Sequence, residues 1–177
     1  MTSAKPAPPP EFSRPVAADR VGRDGLVLEI EAAPAERASL ARRYGIIALG
    51  ALKAECRLKP VAGGMIELSC AFSAHVTQKC VVTLAPVEAG IAESFELRYA
   101  LDPTVLPLPV EDEIDMAADD PPEALAGGAI DLGEAVAQHL ALALDPFPRA
   151  PGAAFDAGGP EKTGNPFAIL SRLKGKT

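Results

Sequence analysis

The stretch LKAECRLKPVAGGMIELSCAFSAHVTQ, residues 52–78, decides the fold because its apolar residues recur at every second position. Such alternation is typical of strands with one buried and one exposed face. Two strands are predicted here, joined at Gly63-Gly64, a pair that suits a two-residue hairpin. The inward set is Leu52, Ala54, Cys56, Leu58, Ile66, Leu68, Cys70, Phe72, Ala74 and Val76.

The period of two continues on both sides of this stretch, over residues 26–31 and 87–99. Helical spacing appears in two other places. One helix is predicted over 34–44, with Gly45 at its end, and the other over about 132–144, where Asp131 begins a capping-box-like start. The predicted fold is α+β, an antiparallel meander of long strands packed with a few helices.

Shifts in composition predict the organisation of the chain. Residues 1–10 are Pro-rich and are expected to be disordered, and a single α+β domain is expected over 11–146. Within that domain, 102–128 holds a run of acids among prolines and glycines, which is typical of an acidic loop. A flexible linker is predicted over 147–164, and a short amphipathic helix over 165–174.

The charge and composition exclude several classes of function. The 177-residue chain has a formal net charge of -7 and no Trp, so neither a broad polyanion-binding surface nor an aromatic platform for single-stranded nucleic acid is expected. No apolar run suits a signal peptide or a membrane span, which predicts a cytoplasmic protein without membrane contact.

The residues that commonly carry chemistry form no recognisable set. Cys56, Cys70 and Cys80 are odd in number and lie in apolar alternation, which favours reduced, buried thiols over disulfides. His75 and His139 have no nucleophile or metal-ligand motif near them, so structural or solvent-facing roles are expected. We therefore predict no catalytic residue, no metal, no cofactor and no small-molecule substrate.

The chain closes with GNPFAILSRLKGKT, residues 164–177, which is basic in an acidic protein. Asn165 suits an N-cap and Pro166 the first helical position, which places Phe167, Leu170 and Leu173 near one face. A helix this short is marginal alone in water, so it is expected to order against something. Its own domain and a partner protein are both open as that surface.

Three stretches, in this order, resemble one family: HVTQKCVVTLAPVEA (75–89), GGAIDLGEAVAQHLALALDPFPRAPG (127–152) and GNPFAILSRLK (164–174). The family is YceD, the large ribosomal RNA subunit accumulation proteins, and the resemblance is to its alphaproteobacterial members. It covers most of residues 11–174. It implies a cytoplasmic protein that supports accumulation or processing of 23S rRNA, in a family with no established catalytic activity.

One position departs from the family pattern. Many members carry C-x-x-C where this chain reads CVVT, so Cys80 matches the first cysteine and Thr83 replaces the second. The resemblance therefore does not extend to a zinc site or a redox pair here.

Two functional hypotheses follow from the residues and the resemblance. The first is a noncatalytic ribosome-biogenesis factor that contacts pre-23S rRNA or a large-subunit assembly intermediate. The second is an adaptor whose C-terminal segment docks on a ribosomal or rRNA-processing protein. The candidate RNA contacts are Arg37, Arg42, Arg43, Lys53, Arg57, Lys59, Arg172, Lys174 and Lys176. The candidate docking residues are Asn165, Pro166, Phe167, Ile169, Leu170 and Leu173.

Overall fold

The computed structural model describes residues 9–101 and 121–155. The strands are β1 (Pro15–Ala17), β2 (Leu26–Glu31), β3 (Ala48–Val61), β4 (Met65–Lys79), β5 (Pro86–Ala100), β6 (Glu123–Ala124) and β7 (Ala129–Asp131). The α-helices are α1 (Pro34–Tyr44) and α2 (Leu132–Ala143), and short 3-10 helices span Ala18–Arg20 and Ala126–Gly128.

A five-stranded sheet in the order β2-β3-β4-β5-β6 forms the centre of the molecule. The first four strands are antiparallel and sequential, and β6 adds a two-residue parallel pair at Tyr99 and Ala100. This architecture confirms the α+β prediction. The β3–β4 loop holds three residues rather than two, because Val61 pairs with Met65, and Gly63 and Gly64 both take positive φ there.

The core lies on one face of this sheet, where the alternation of the sequence predicted it. Leu52, Leu58, Leu68 and Val76 are fully buried. The second layer consists of the helices and a two-stranded sheet, β1 with β7. Phe12, from the segment before β1, is fully buried in the same core.

Both predicted helices are confirmed. Helix α1 ends where Gly45 adopts a left-handed conformation with φ 67°, and α2 starts at the predicted N-cap. The carboxylate of Asp131 accepts hydrogen bonds from the backbone N–H groups of Gly133 and Glu134. It also accepts bonds from Ser13 Oγ (2.6 Å) and Arg14 N (2.7 Å), so one side chain joins the N-terminal segment to α2.

The prediction of three reduced thiols is wrong for two of them. Cys56 and Cys70 face one another in the β3–β4 register and form a disulfide. Inward alternation places the two residues on the same face, and the register places them opposite each other. Cys80 is free and buried, as predicted.

Candidate functional site

Helix α1 carries three of the predicted RNA contacts, and one of them is already neutralised by acids. The Arg43 guanidinium donates to both carboxylate oxygens of Glu134 (2.8 and 2.9 Å) and to Glu11 (3.0 Å). The bond to Glu134 raises the pKa of Arg43 and lowers that of Glu134. Arg43 therefore joins α1 to α2 and to the N-terminal segment.

Arg37 and Arg42 are in a different electrostatic environment. Arg37 donates to the backbone oxygen of Ala32 (2.7 Å) and Arg42 to Ser39 Oγ (3.0 Å), both neutral acceptors. Within residues 9–101 and 121–155, neither guanidinium is in an ion pair. Their positive charge is therefore available to an anionic ligand.

These two arginines border a groove of about 370 Å³ between α1 and the start of β3. Ile47, half exposed, also lines it, so the groove combines cations with apolar surface. A shift of register between Leu49 and Ala51 interrupts the β3–β4 ladder beside it. The full lining is Pro34, Arg37, Ala38, Ala41, Arg42, Ile46, Ile47, Ala48, Leu49 and Gly50.

The exposed face of the sheet carries the next three predicted contacts. Lys53 Nζ lies 3.3 Å from Glu31, and Arg57 lies 3.6 Å from Glu55. Lys59 is exposed and sits opposite Glu67 in the register. Because a glutamate accompanies each cation, this face is a mixed-charge surface and not a continuous basic one.

The predicted tail contacts and docking residues lie outside the described residues, so they stay predictions. This applies to Asn165, Pro166, Phe167, Ile169, Leu170, Arg172, Leu173, Lys174 and Lys176. The predicted N-terminal disorder falls mostly outside them as well, as does most of the predicted acidic loop.

Cys80 occupies a loop in which several donors converge on its sulfur. The N–H groups of Val82, Thr83 and Ala150 lie 3.4, 3.3 and 3.3 Å from Sγ. A bond from the Thr83 side chain, followed by the backbone bonds, lowers the pKa of Cys80 to about 6, against the opposing effect of desolvation. Thr83 thus supports the thiolate of Cys80 rather than supplying a second sulfur. The importance of Thr83 could not be read from the sequence, which shows only that a cysteine is missing.

The two histidines lie on opposite faces of the central sheet. The His139 ring stacks on Phe95 with centroids 3.7 Å apart, and burial lowers the pKa of His139. His75 is exposed on the other face of the sheet. In the described part of the chain, no cluster of three or more His, Cys, Asp or Glu residues could hold a metal. No helix there is long and apolar enough to cross a membrane.

Comparison with known proteins adds to this geometry. Residues 68–174, more than half of the chain, match the family model described as "Large ribosomal RNA subunit accumulation protein YceD". No curated protein and no solved structure matches the chain. The matched residues run from near the start of β4 through α2 and include the C-terminal segment 165–174. The chain therefore belongs to the YceD family of large ribosomal RNA subunit accumulation proteins.

Proposed function

We propose that this protein is a noncatalytic assembly factor that contacts a precursor of 23S rRNA, alone or within an early large-subunit intermediate. The family description, which concerns accumulation of the large-subunit rRNA and names no reaction, supports the biological role.

The pair Arg37 and Arg42 carries the proposal that contact with RNA is direct. Guanidinium groups bind phosphate oxygens in a bidentate manner, and these two are not neutralised by a described carboxylate. The apolar side chains between them offer a surface for an unstacked base, which is how single-stranded RNA loops are commonly recognised. The net charge of -7 repels RNA elsewhere, so binding is expected to concentrate at this groove.

The test is a binding titration of the full-length protein against transcripts of the separate 23S rRNA domains, repeated over a series of salt concentrations. R37E/R42E is expected to weaken binding of the preferred transcript by about tenfold or more and to reduce the salt slope by about 1 to 2. The matched control is R57E/K59E, which makes the same change in net charge on the exposed face of the sheet. It is expected to stay within about threefold of wild type.

Two results would refute direct contact at α1. One is the absence of binding to any domain transcript at low salt. The other is an equal loss for both double variants, because that would show attraction by overall charge rather than by this groove. Circular dichroism of each variant confirms that the fold is retained.

The adaptor role is a second candidate, since the family match extends through the C-terminal segment. Truncation after Gly164 is then expected to abolish capture of a purified ribosomal or rRNA-processing protein while leaving rRNA binding intact. Apolar docking of this segment should change little as salt rises, unlike rRNA binding.

A further inference from the structure

Among the described residues, one edge of strand β5 is left largely unpaired. It pairs with β4 along its whole length, from Pro86 to Ala100, whereas β6 covers only Tyr99 and Ala100. Within residues 9–101 and 121–155, no strand pairs with the other side of Pro86–Arg98. Alternate backbone N–H and C=O groups of this stretch therefore point outward, as a template for one more strand.

The exposed face of this edge is acidic from Pro86 to Glu96, and Arg98 follows at its end. Glu88 and Glu96 lie on the face of the sheet turned away from the core, with small residues between them at Gly90, Ala92 and Ser94. Neither glutamate takes part in an ion pair with another described residue. The same face is open at Gly90, where an added Cβ would have no neighbour within 4 Å.

The opposite side of the same edge is partly apolar. A groove of about 260 Å³ lies there between β5 and α2, and its lining includes Phe72, His139 and Leu142. Leu142 is 81% exposed, although it belongs to a helix whose other leucines at 132 and 140 are fully buried. Glu93, which projects to this side, stands at the rim.

We propose that the β5 edge binds an extended, basic segment of a partner protein by strand addition. Residues of the added strand alternate between the two faces, so one set of side chains meets Glu88 and Glu96 while the other set covers Leu142. The recognised sequence is thus a short run in which Lys or Arg alternates with apolar residues. This surface is separate from the groove bordered by Arg37 and Arg42, and the proposal does not depend on rRNA binding there.

The charges on β5 argue against a second copy of the chain as the occupant. Two β5 strands paired edge to edge would bring the same glutamates together, and like charges facing each other across a strand pair are destabilising. An added strand with lysines opposite Glu88 and Glu96 would instead form attractive cross-strand pairs with them.

The test uses the full-length protein and a synthetic probe, an acetylated peptide of about ten residues that alternates Lys and Val. Binding is measured by fluorescence anisotropy and located by amide hydrogen exchange. Saturating peptide is expected to slow exchange at outward-facing amides of Val87–Glu96. E88K/E96K is expected to weaken binding by about tenfold, because both attractions become repulsions. The matched control, D19K/E29K, changes net charge equally at exposed positions on other elements and is expected to stay within about threefold.

Two further probes separate strand addition from simple attraction. A peptide methylated at alternate backbone nitrogens keeps every charge but loses the ladder bonds, so it should bind far more weakly. Leu142→Ala should weaken binding of the Lys-Val peptide and leave binding of a Lys-Ser peptide unchanged.

The proposal is overturned by any of four results. These are equal affinity for the methylated peptide, equal loss for the two charge variants, strong protection of the β5 amides in the free monomer, and dimerisation that protects this edge. The third would show that the chain covers its own edge, and the fourth would identify a second copy as the occupant.

Discussion

Asp131→Ala should cost this protein about 3 kcal/mol of unfolding free energy, more than an ordinary surface substitution. The carboxylate caps α2 by accepting from Gly133 and Glu134, and loss of an N-cap costs about 1 kcal/mol. It also holds Ser13 and Arg14, and hydrogen bonds to a charged group contribute about 1.5–3 kcal/mol before allowance for partial exposure.

Urea unfolding followed by circular dichroism measures this loss, and a thermal melt should show a shift of about 6–12 °C. Asp131→Asn is the matched control because it keeps one carbonyl oxygen for the helix amides, and it should lose less than half as much. Ser13→Ala removes one donor and should cost about 1 kcal/mol. A loss below about 1 kcal/mol for Asp131→Ala would refute the idea that this side chain joins the N-terminal segment to α2.

Three other predictions concern the stability of the fold and the state of its cysteines. Because the pKa of Cys80 is lowered to about 6, its thiolate stabilises the fold at alkaline pH, and this stabilisation is lost as pH falls from about 9 to 6. The difference in melting temperature between wild type and Cys80→Ser should therefore shrink over the same pH range. In Thr83→Val, which lacks the side-chain hydrogen bond to Cys80, stability should depend less on pH. Denatured, unreduced protein should react with a thiol reagent at Cys80 alone, and Cys56 and Cys70 should react only after reduction; three reactive thiols without reductant would contradict the disulfide. Gly133→Ala should cost about 2 kcal/mol in urea unfolding, since its Cβ would collide with the backbone of Phe12, whereas Gly90→Ala, in open space, should change stability by less than about 0.5 kcal/mol.

The sheet was predictable because periodicity is a local property of the sequence. Leu52, Leu58 and Leu68 alternate with charged or polar residues in the sequence and face the core in the structure, because successive side chains of a strand point to opposite faces. Gly45 ends α1 because it adopts the left-handed conformation there. The Cys56–Cys70 bond was missed because periodicity gives the face of a strand but not its register against another strand.

The properties of the candidate site were harder to predict because they depend on partners distant in the chain. Arg37, Arg42 and Arg43 look alike in the sequence, all on one helix. Only the fold brings Glu134, 91 positions away, onto Arg43 and leaves the other two arginines with neutral acceptors. From the sequence alone, the three arginines are therefore equally good candidates for RNA contact.

The structure also changes how the acidic character of the protein is understood. A net charge of -7 would oppose RNA binding if it were spread evenly, but Arg37 and Arg42 border one groove while Glu88 and Glu96 lie along the part of the β5 edge that no described strand covers. An assembling particle contains polyanionic RNA and proteins that must be cationic to bind it. A factor with a cationic groove and an acidic strand edge can contact both components at separate surfaces. If both proposals hold, the acidic edge discourages nonspecific RNA contacts and attracts basic protein segments, so the net negative charge favours selective binding to such a particle.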